Sequence, residues 1–428
     1  MTTEVIPEDI ATAVIDPQSY ANDKSLHDAL RWLRHNNPLG RVVTEEFDPF
    51  WMVTKHADIL EVSRQNDLFH NGDLQTTLTP KLIDQKIRAM TGGSPHLVRS
   101  LVQMDPPDHP KYRVLTQAWF LPQNIRKLED RIREIARAHV DRMAEMGGEC
   151  DFVNDVALTY PLRVIMEILG VPEQDEPLML KLTQELFGAT DPDLNRSHED
   201  IARDFDKNLA NVQSVLGDFF AYFDAITQDR RAHPREDVAS VIANGQIDGH
   251  PLGSFEAMSY YVIVATAGHD TTSSSTAGAV WGMCQFPEEF AKAKADPSLI
   301  PGLVDEAIRW TTPVKHFMRS ATADTELRGR QIRKGDWLFL SYPSGNRDEE
   351  VFEDPDAFRI ERKPNKHLAF GYGAHVCLGQ HLAKMEMRIL FEELLSRVKS
   401  IELNGEPKRS AATFVGGPKT VPIRYVMQ

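Results

Sequence analysis

The sequence predicts a mainly α-helical protein with a small β region, folded as a single domain over residues 1–428. Three observations predict it. Apolar residues recur at helical spacing across a helix-rich stretch from about 108 to 320. Short β-type runs are confined to two parts near residues 40–60 and 320–345 and to a hairpin near 400–428. No internal repeat or low-complexity linker divides the chain.

Phe50-Trp51-Met52-Val53 reads as a short strand and Ala57 to Asn66 as a helix. Residues His70 to Ser100 carry Gly72, Pro80, Gly92, Gly93 and Pro95 with no sustained period, which predicts an irregular segment with short helical pieces. A loop that long is usually functional or disordered. Ile125, Leu128, Ile132, Ile135, His139 and Met143 step by three and four, an apolar stripe on one helix that Gly147-Gly148 ends. Val153 to Leu169 continues helical as far as Gly170-Val171-Pro172, and Asp191 to Asp200 is a polar loop. Ser254 to Phe286 is the longest apolar-rich run, roughly 33 residues or ~50 Å of helix. Its small, polar middle, Gly268 to Ser275, makes it a helix through the core and not a membrane span. Arg328-Gly329 and Lys334-Gly335-Asp336 flank the strand Trp337 to Leu340, and Asp348 to Pro364 lacks a regular pattern. A loop over 370–379, a helix from about Leu378 to Arg397 and a C-terminal hairpin turning at Gly416-Gly417 complete the chain.

Composition narrows the function. Acidic residues number 63 against 48 basic, a formal charge of −15. Such a surface repels nucleic acid and anionic membrane. Cys150, Cys284 and Cys377 lie far apart without a CxxC pair, which excludes a disulfide framework or zinc cluster and suits a reducing compartment. The N-terminus has no basic start followed by an apolar run, and no segment approaches the ~20 apolar residues of a span. A cytoplasmic monomer is expected.

The strongest chemical signal is Phe370-Gly371-Tyr372-Gly373-Ala374-His375-Val376-Cys377-Leu378-Gly379, a glycine-punctuated loop that delivers one cysteine to the start of a helix. A helix N-terminus steadies a thiolate. A thiolate so placed serves as a nucleophile or a metal ligand, and haem iron accepts one axial cysteinate. A lone cysteine is also commonly a buried structural residue.

This loop resembles the haem-thiolate monooxygenases of the cytochrome P-450 superfamily, matching the pattern F-G-x-G-x-H-x-C-x-G at every defined position. The resemblance implies a triangular helical prism around a buried haem b, with Cys377 as the iron ligand. It places Phe370 against the sulfur and Gly371 and Gly379 in the surrounding loop. Three more segments match in order. Glu306-Ala307-Ile308-Arg309 fits E-x-x-R, whose i and i+3 residues share a helix face, and Arg362 completes a structural network with Glu306 and Arg309. Ala267-Gly268-His269-Asp270-Thr271-Thr272 fits [A/G]-G-x-[D/E]-T-[T/S]; Thr271 would hydrogen-bond dioxygen, Asp270 would admit protons, and Ala267 would lie against the haem. The segment Asp105 to Arg113 resembles the family's entry to a helix beside the haem. His109, Arg113, Arg319 and His375 are assigned to the two propionates, because buried carboxylates demand such partners.

The runs ATAGHDTTSSS, MRSATADTE, NRDEEVF, GAHVCLGQHLAKMEM and TFVGGPK look like the soluble bacterial class, and within it most like the alpha-terpineol-hydroxylating branch. That implies dioxygen and electrons from NAD(P)H through a flavoprotein reductase and an acidic 2Fe–2S ferredoxin. Lys111, Arg126, Lys384 and Arg388 are candidates for a basic docking patch. The resemblance draws the substrate pocket from Leu101, Val102 and Phe187, from Ile263, Val264 and Ala267, and from Val314, Phe317 and Phe414 or Val415. Apolar walls favour a small hydrophobic substrate, a monoterpenoid or a small arene. The same fold would also serve a peroxide-dependent haem enzyme or a haem sensor or carrier without turnover.

Overall fold

The computed structural model describes residues 4–201 and 204–428. Helix accounts for 55% and strand for 13%, so helices build the core and the sheets lie against it. Among the described residues no helix is long and apolar enough to cross a membrane.

The core forms where helix Gln380–Arg397 meets helices Ile300–Thr311 and Glu129–Glu145. Leu382, Met387, Ile389, Leu390, Phe391 and Leu394 of the first are almost wholly buried. Full burial of one such side chain stabilises by ~1.5–3 kcal/mol. The apolar stripe begins before its helix. Ile125 closes the short helix Pro122–Ile125 and Leu128 a 3-10 turn, and the regular helix starts at Glu129. Ile125, Ile132, Ile135 and Met143 nonetheless share one core.

The long central run is two helices, Ser254–Ala267 and Asp270–Gln285, with Gly268 and His269 between them. Polar side chains compete with the backbone at this break. Thr271 Oγ1 donates to the Ala267 carbonyl at 3.1 Å, so that oxygen keeps a partner. Gly268 is required by contact, because a Cβ there would stand 2.6 Å from Ile165 Cγ1 on the crossing helix Thr159–Leu169.

Five strands form the main sheet, in the order Leu39–Val42, Phe50–Val53, Trp337–Ser341, His316–Ala321 and Phe69–His70. Trp337 pairs with Phe50 in the one parallel step. Within the expected irregular segment the structure forms a helix, Lys81–Thr91, closed by left-handed Gly92. The C-terminal strands Val398–Leu403 and Pro422–Met427 pair antiparallel. The inner hairpin does not turn at Gly416-Gly417. Lys408–Arg409 pairs with Pro418–Thr420, and Gly417 O accepts from Ser410 N, so both glycines sit on the returning limb and 411–415 is the tip. That tip reaches the cavity described next.

Candidate active site

A cavity of about 1100 Å3 crosses the core. It exceeds the ~300–1,000 Å3 of a site for one drug-sized ligand, so it has room for a cofactor and a small molecule together. Cys377, Phe370, Gly371 and Gly379 line it from the loop before helix Gln380–Arg397, and Ala267 and Thr271 from the broken central helices. Gly373 holds the loop in its turn. Its φ is +74°, and a Cβ would meet the Ser63 carbonyl at 2.1 Å.

The Cys377 amide donates to Phe370 O at 2.9 Å, tying the two ends of the loop. Its sulfur is open to the cavity. Burial pushes the thiol up, and the amides of Gly379 and Gln380 with the Arg113 charge pull it back. Such a thiol needs a positive partner to stay ionised, which a bound metal supplies. Phe370 is flanked by Lys384, whose Nζ lies 5.5 Å from its ring centre.

His109, Arg113, Arg319 and His375 all border the same cavity. The two imidazoles lie 4.1 Å apart, centre to centre. Burial, reinforced by the neighbouring cations, pushes His375 down to about 2, and burial with Arg113 pushes His109 down to about 4. Both Nε2 atoms are buried without a partner. Arg113 donates to Val376 O at 2.7 Å and Arg319 to Met318 O at 2.8 Å, and no carboxylate pairs with either guanidinium among the described residues. One buried and one half-buried guanidinium, with two orphaned imidazole nitrogens, call for an anion with two acceptor groups. At Gly379 a Cβ would meet nothing within 4 Å, which keeps that side of the cavity smooth for a flat ligand. This donor set fits a haem: one thiolate for the metal and four groups for two propionates.

Leu101, Val102, Phe187, Ile263 and Val264 border the cavity, as do Val314, Phe317, Phe414 and Val415. The hairpin tip is placed by backbone pairing, since Lys315 N donates to Phe414 O at 2.7 Å and Gly416 N to Pro313 O at 3.0 Å. Phe414 thereby meets Phe317 at 5.3 Å and Phe187 at 6.2 Å between ring centres. Asp270 follows the helix break with its side chain 14% exposed, and its Oδ2 is buried without a partner.

Glu306 and Arg309 are fully buried, and Arg309 donates twice to Glu306, at 2.7 and 2.8 Å. Arg362 Nε lies 3.2 Å from both Glu306 oxygens. The candidate docking patch is largely neutralised. Lys111 pairs with Asp248, Lys384 with Asp305 at 2.8 Å, and Arg388 with Glu129 and Glu392, while Arg126 is exposed. Isolated by spacing, these cations read as a patch; the fold supplies an acid beside three of them.

Several residues gained no signal from their spacing. Asn71 is 3% exposed and borders the cavity; its Nδ2 donates to Val102 O, and its Oδ1 has no partner. His316 joins two walls, as Leu78 N donates to its Nε2 at 2.8 Å and its Nδ1 donates to Thr413 O at 2.8 Å. These bonds require the neutral ring, and burial pushes it down to about 3. Its folded value lies below the unfolded ~6.5. Stability from this residue is therefore present above pH ~6.5 and lost as pH falls toward 3. Acid unfolding in urea should show wild type losing up to about 1.4 kcal/mol per pH unit through that window relative to His316→Phe. Parallel acid limbs would refute the assignment.

A family model described as Cytochrome P450 matches residues 82–297 and 298–421. Cytochrome P450-terp of a Pseudomonas species is 53% identical over 426 residues, 98% of each chain. Linalool 8-monooxygenase of Pseudomonas putida is 32% identical over 404 residues, 94% of this chain and 95% of its own. The crystal structure of CYP108D1 from Novosphingobium aromaticivorans matches with a TM-score of 0.91 at 46% identity and covers all of both chains. CYP268A2 of Mycobacterium marinum, in complex with pseudoionone, matches at 0.85 and 31% identity, covering 99% of this chain and 100% of its own.

Proposed function

Because the chain belongs to the cytochrome P450 family and is one of its monooxygenases, we propose that it hydroxylates a monoterpenoid alcohol. The electrons come from NAD(P)H through a flavoprotein reductase and a 2Fe–2S ferredoxin. The observation that carries this reading is an acid and an alcohol, Asp270 and Thr271, at a helix break, with Thr271 bordering the same cavity as Cys377. Haem b ligated by Cys377 supplies oxygen activation and insertion of one oxygen atom into a C–H bond when bound.

The chain's own residues bind, orient and meter protons. His109, Arg113, Arg319 and His375 hold the two propionates. Phe187, Phe317 and Phe414 exclude water and set the substrate's orientation by shape. Thr271, its hydroxyl resting on Ala267 O, and Asp270, with Oδ2 free, pass protons from solvent toward the cavity. Unmatched proton supply diverts electrons to peroxide, so these two residues control product formed per NADH.

The substrate class is supported by Asn71. Its orphaned Oδ1 beside Val102 suits a hydrophobic molecule that carries one hydroxyl, a feature plain arenes lack. The names of the linalool and P450-terp relatives point the same way. A spectral titration tests it. Monoterpene alcohols are expected to convert the ferric spectrum from low to high spin with about tenfold tighter binding than arenes of equal size, the worth of one buried hydrogen bond. Tighter conversion by arenes would overturn the substrate class. NADH oxidation in the absence of ferredoxin at the full rate would overturn the electron route.

A further inference from the structure

We propose that His269 is the positioning residue for Asp270 and shares one proton with it; the proposal rests on the monooxygenase reading above. His269 sits between the two central helices, with φ −106° and ψ −74°, and is wholly buried. Both ring nitrogens are engaged. Nε2 lies 2.8 Å from Leu158 O, and a carbonyl only accepts, so Nε2 carries a hydrogen. Nδ1 lies 3.2 Å from Thr183 Oγ1 and 3.5 Å from Asp270 Oδ1.

The single hydroxyl hydrogen of Thr183 has two acceptors in reach, Leu180 O at 3.0 Å and His269 Nδ1 at 3.2 Å. When it points to Leu180, Nδ1 receives nothing from Thr183, and a hydrogen carried there makes the ring a cation that leans on Asp270 Oδ1. When it turns to Nδ1, the ring is neutral and Asp270 has lost its cation. One hydroxyl rotation therefore accompanies one proton transfer. The N–H bond at Nδ1 breaks, an O–H bond forms on Asp270 Oδ1, and imidazolium and carboxylate become imidazole and carboxylic acid with total charge unchanged. Asp270 then delivers that proton toward the cavity, and the pair takes another from solvent at its exposed edge.

The surroundings isolate the pair. Helix Glu176–Phe187 presents Thr183 to the ring, and the start of helix Thr159–Leu169 presents the Leu158 carbonyl. Asp270 is the one charged side chain paired with His269 among the described residues, and His269 the one cation paired with Asp270. Another buried acid, Glu386, bonds Thr272, and burial pushes its carboxyl well above the usual range.

Two substitutions separate this from a purely structural role. His269→Gln keeps a donor for Leu158 O and loses the group facing Asp270, whereas His269→Asn keeps a donor near Asp270 and loses the Leu158 tie. Neither replacement carries a titrating proton. Both are expected to lower product per NADH about tenfold, below the ~10²–10⁴ of a direct acid–base group, and to flatten its pH profile. A second readout is independent of turnover. In ¹⁵N-labelled ferrous–carbon monoxide holoenzyme, the His269 Nδ1 resonance should move toward the unprotonated position on Asp270→Asn substitution. Wild-type yield and pH profile in His269→Gln, or an Nδ1 resonance indifferent to Asp270→Asn, would overturn the proposal. Asp270→Asn and Thr271→Ala distinguish the two readings. If they keep full yield, the proton route itself fails; if they lower it while both His269 variants do not, only the shared proton fails.

Discussion

Cys377→Ala is expected to abolish product formation, by a factor of at least about 10³, or ~4 kcal/mol of lost barrier reduction. The side chain faces the cavity and its amide bond to Phe370 O is made by the backbone, so alanine leaves the loop intact. The loss is then chemical. Under the proposed ligation, removing the sulfur would leave a haem iron without its soft anionic donor, and the amides of Gly379 and Gln380 without a thiolate to steady. The reduced, carbon-monoxide-treated variant should lack the red-shifted Soret band of thiolate ligation, while the urea midpoint of the apoprotein moves little. A thiolate-type band that survives the substitution would remove Cys377 from the site.

Glu306→Gln is expected to cost ~3–5 kcal/mol of stability, read as a fall in the urea midpoint. Glu306 accepts from Arg309, Arg362, Asn365 and the Arg359 amide, all in a region where its own exposure and that of Arg309 are zero. Glutamine removes the charge and turns a second donor group toward Arg309, which leaves a buried guanidinium uncompensated. The network also donates from Arg309 to the carbonyls of Asn346, Pro355 and Ala357, so the irregular stretch 348–364 takes its shape from this one pair. Burial pushes the Glu306 carboxyl up, but Arg309 and Arg362 outweigh it and hold it below the usual range. Its contribution is thus present above the unfolded ~4.3 and lost as pH falls below that value. A loss under ~1 kcal/mol would show the pair to be replaceable.

Contiguous motifs were the most legible. The ten residues from Phe370 to Gly379 close on themselves through the Cys377 amide bond to Phe370 O, while the need for Gly373 comes from Ser63 O on a distant helix. The strand Phe50–Val53 was legible for the same reason, four apolar β-formers in a row. The central helix was only half legible. Its polar middle signalled weakness, but the need for glycine at 268 comes from the close pass of Ile165, a contact between residues about a hundred positions apart. The hairpin tip was misplaced because glycines suggest turns, whereas here Gly416 N is committed to Pro313 O.

Residue pattern determined the mainly helical class of fold, and the family resemblance carried by short motifs determined the thiol, the acid–alcohol pair and the E-x-x-R helix, because each motif is written in residues close together in the chain. Tertiary structure decided what crosses between elements. It brought His109 onto His375 and Asn71 beside Val102, set His269 between Leu158, Thr183 and Asp270, and gave Lys111, Lys384 and Arg388 acidic neighbours. A charge or a hydrogen-bond donor acquires its meaning from the partner opposite it, and that partner is chosen by packing over long chain separations, which no local pattern encodes.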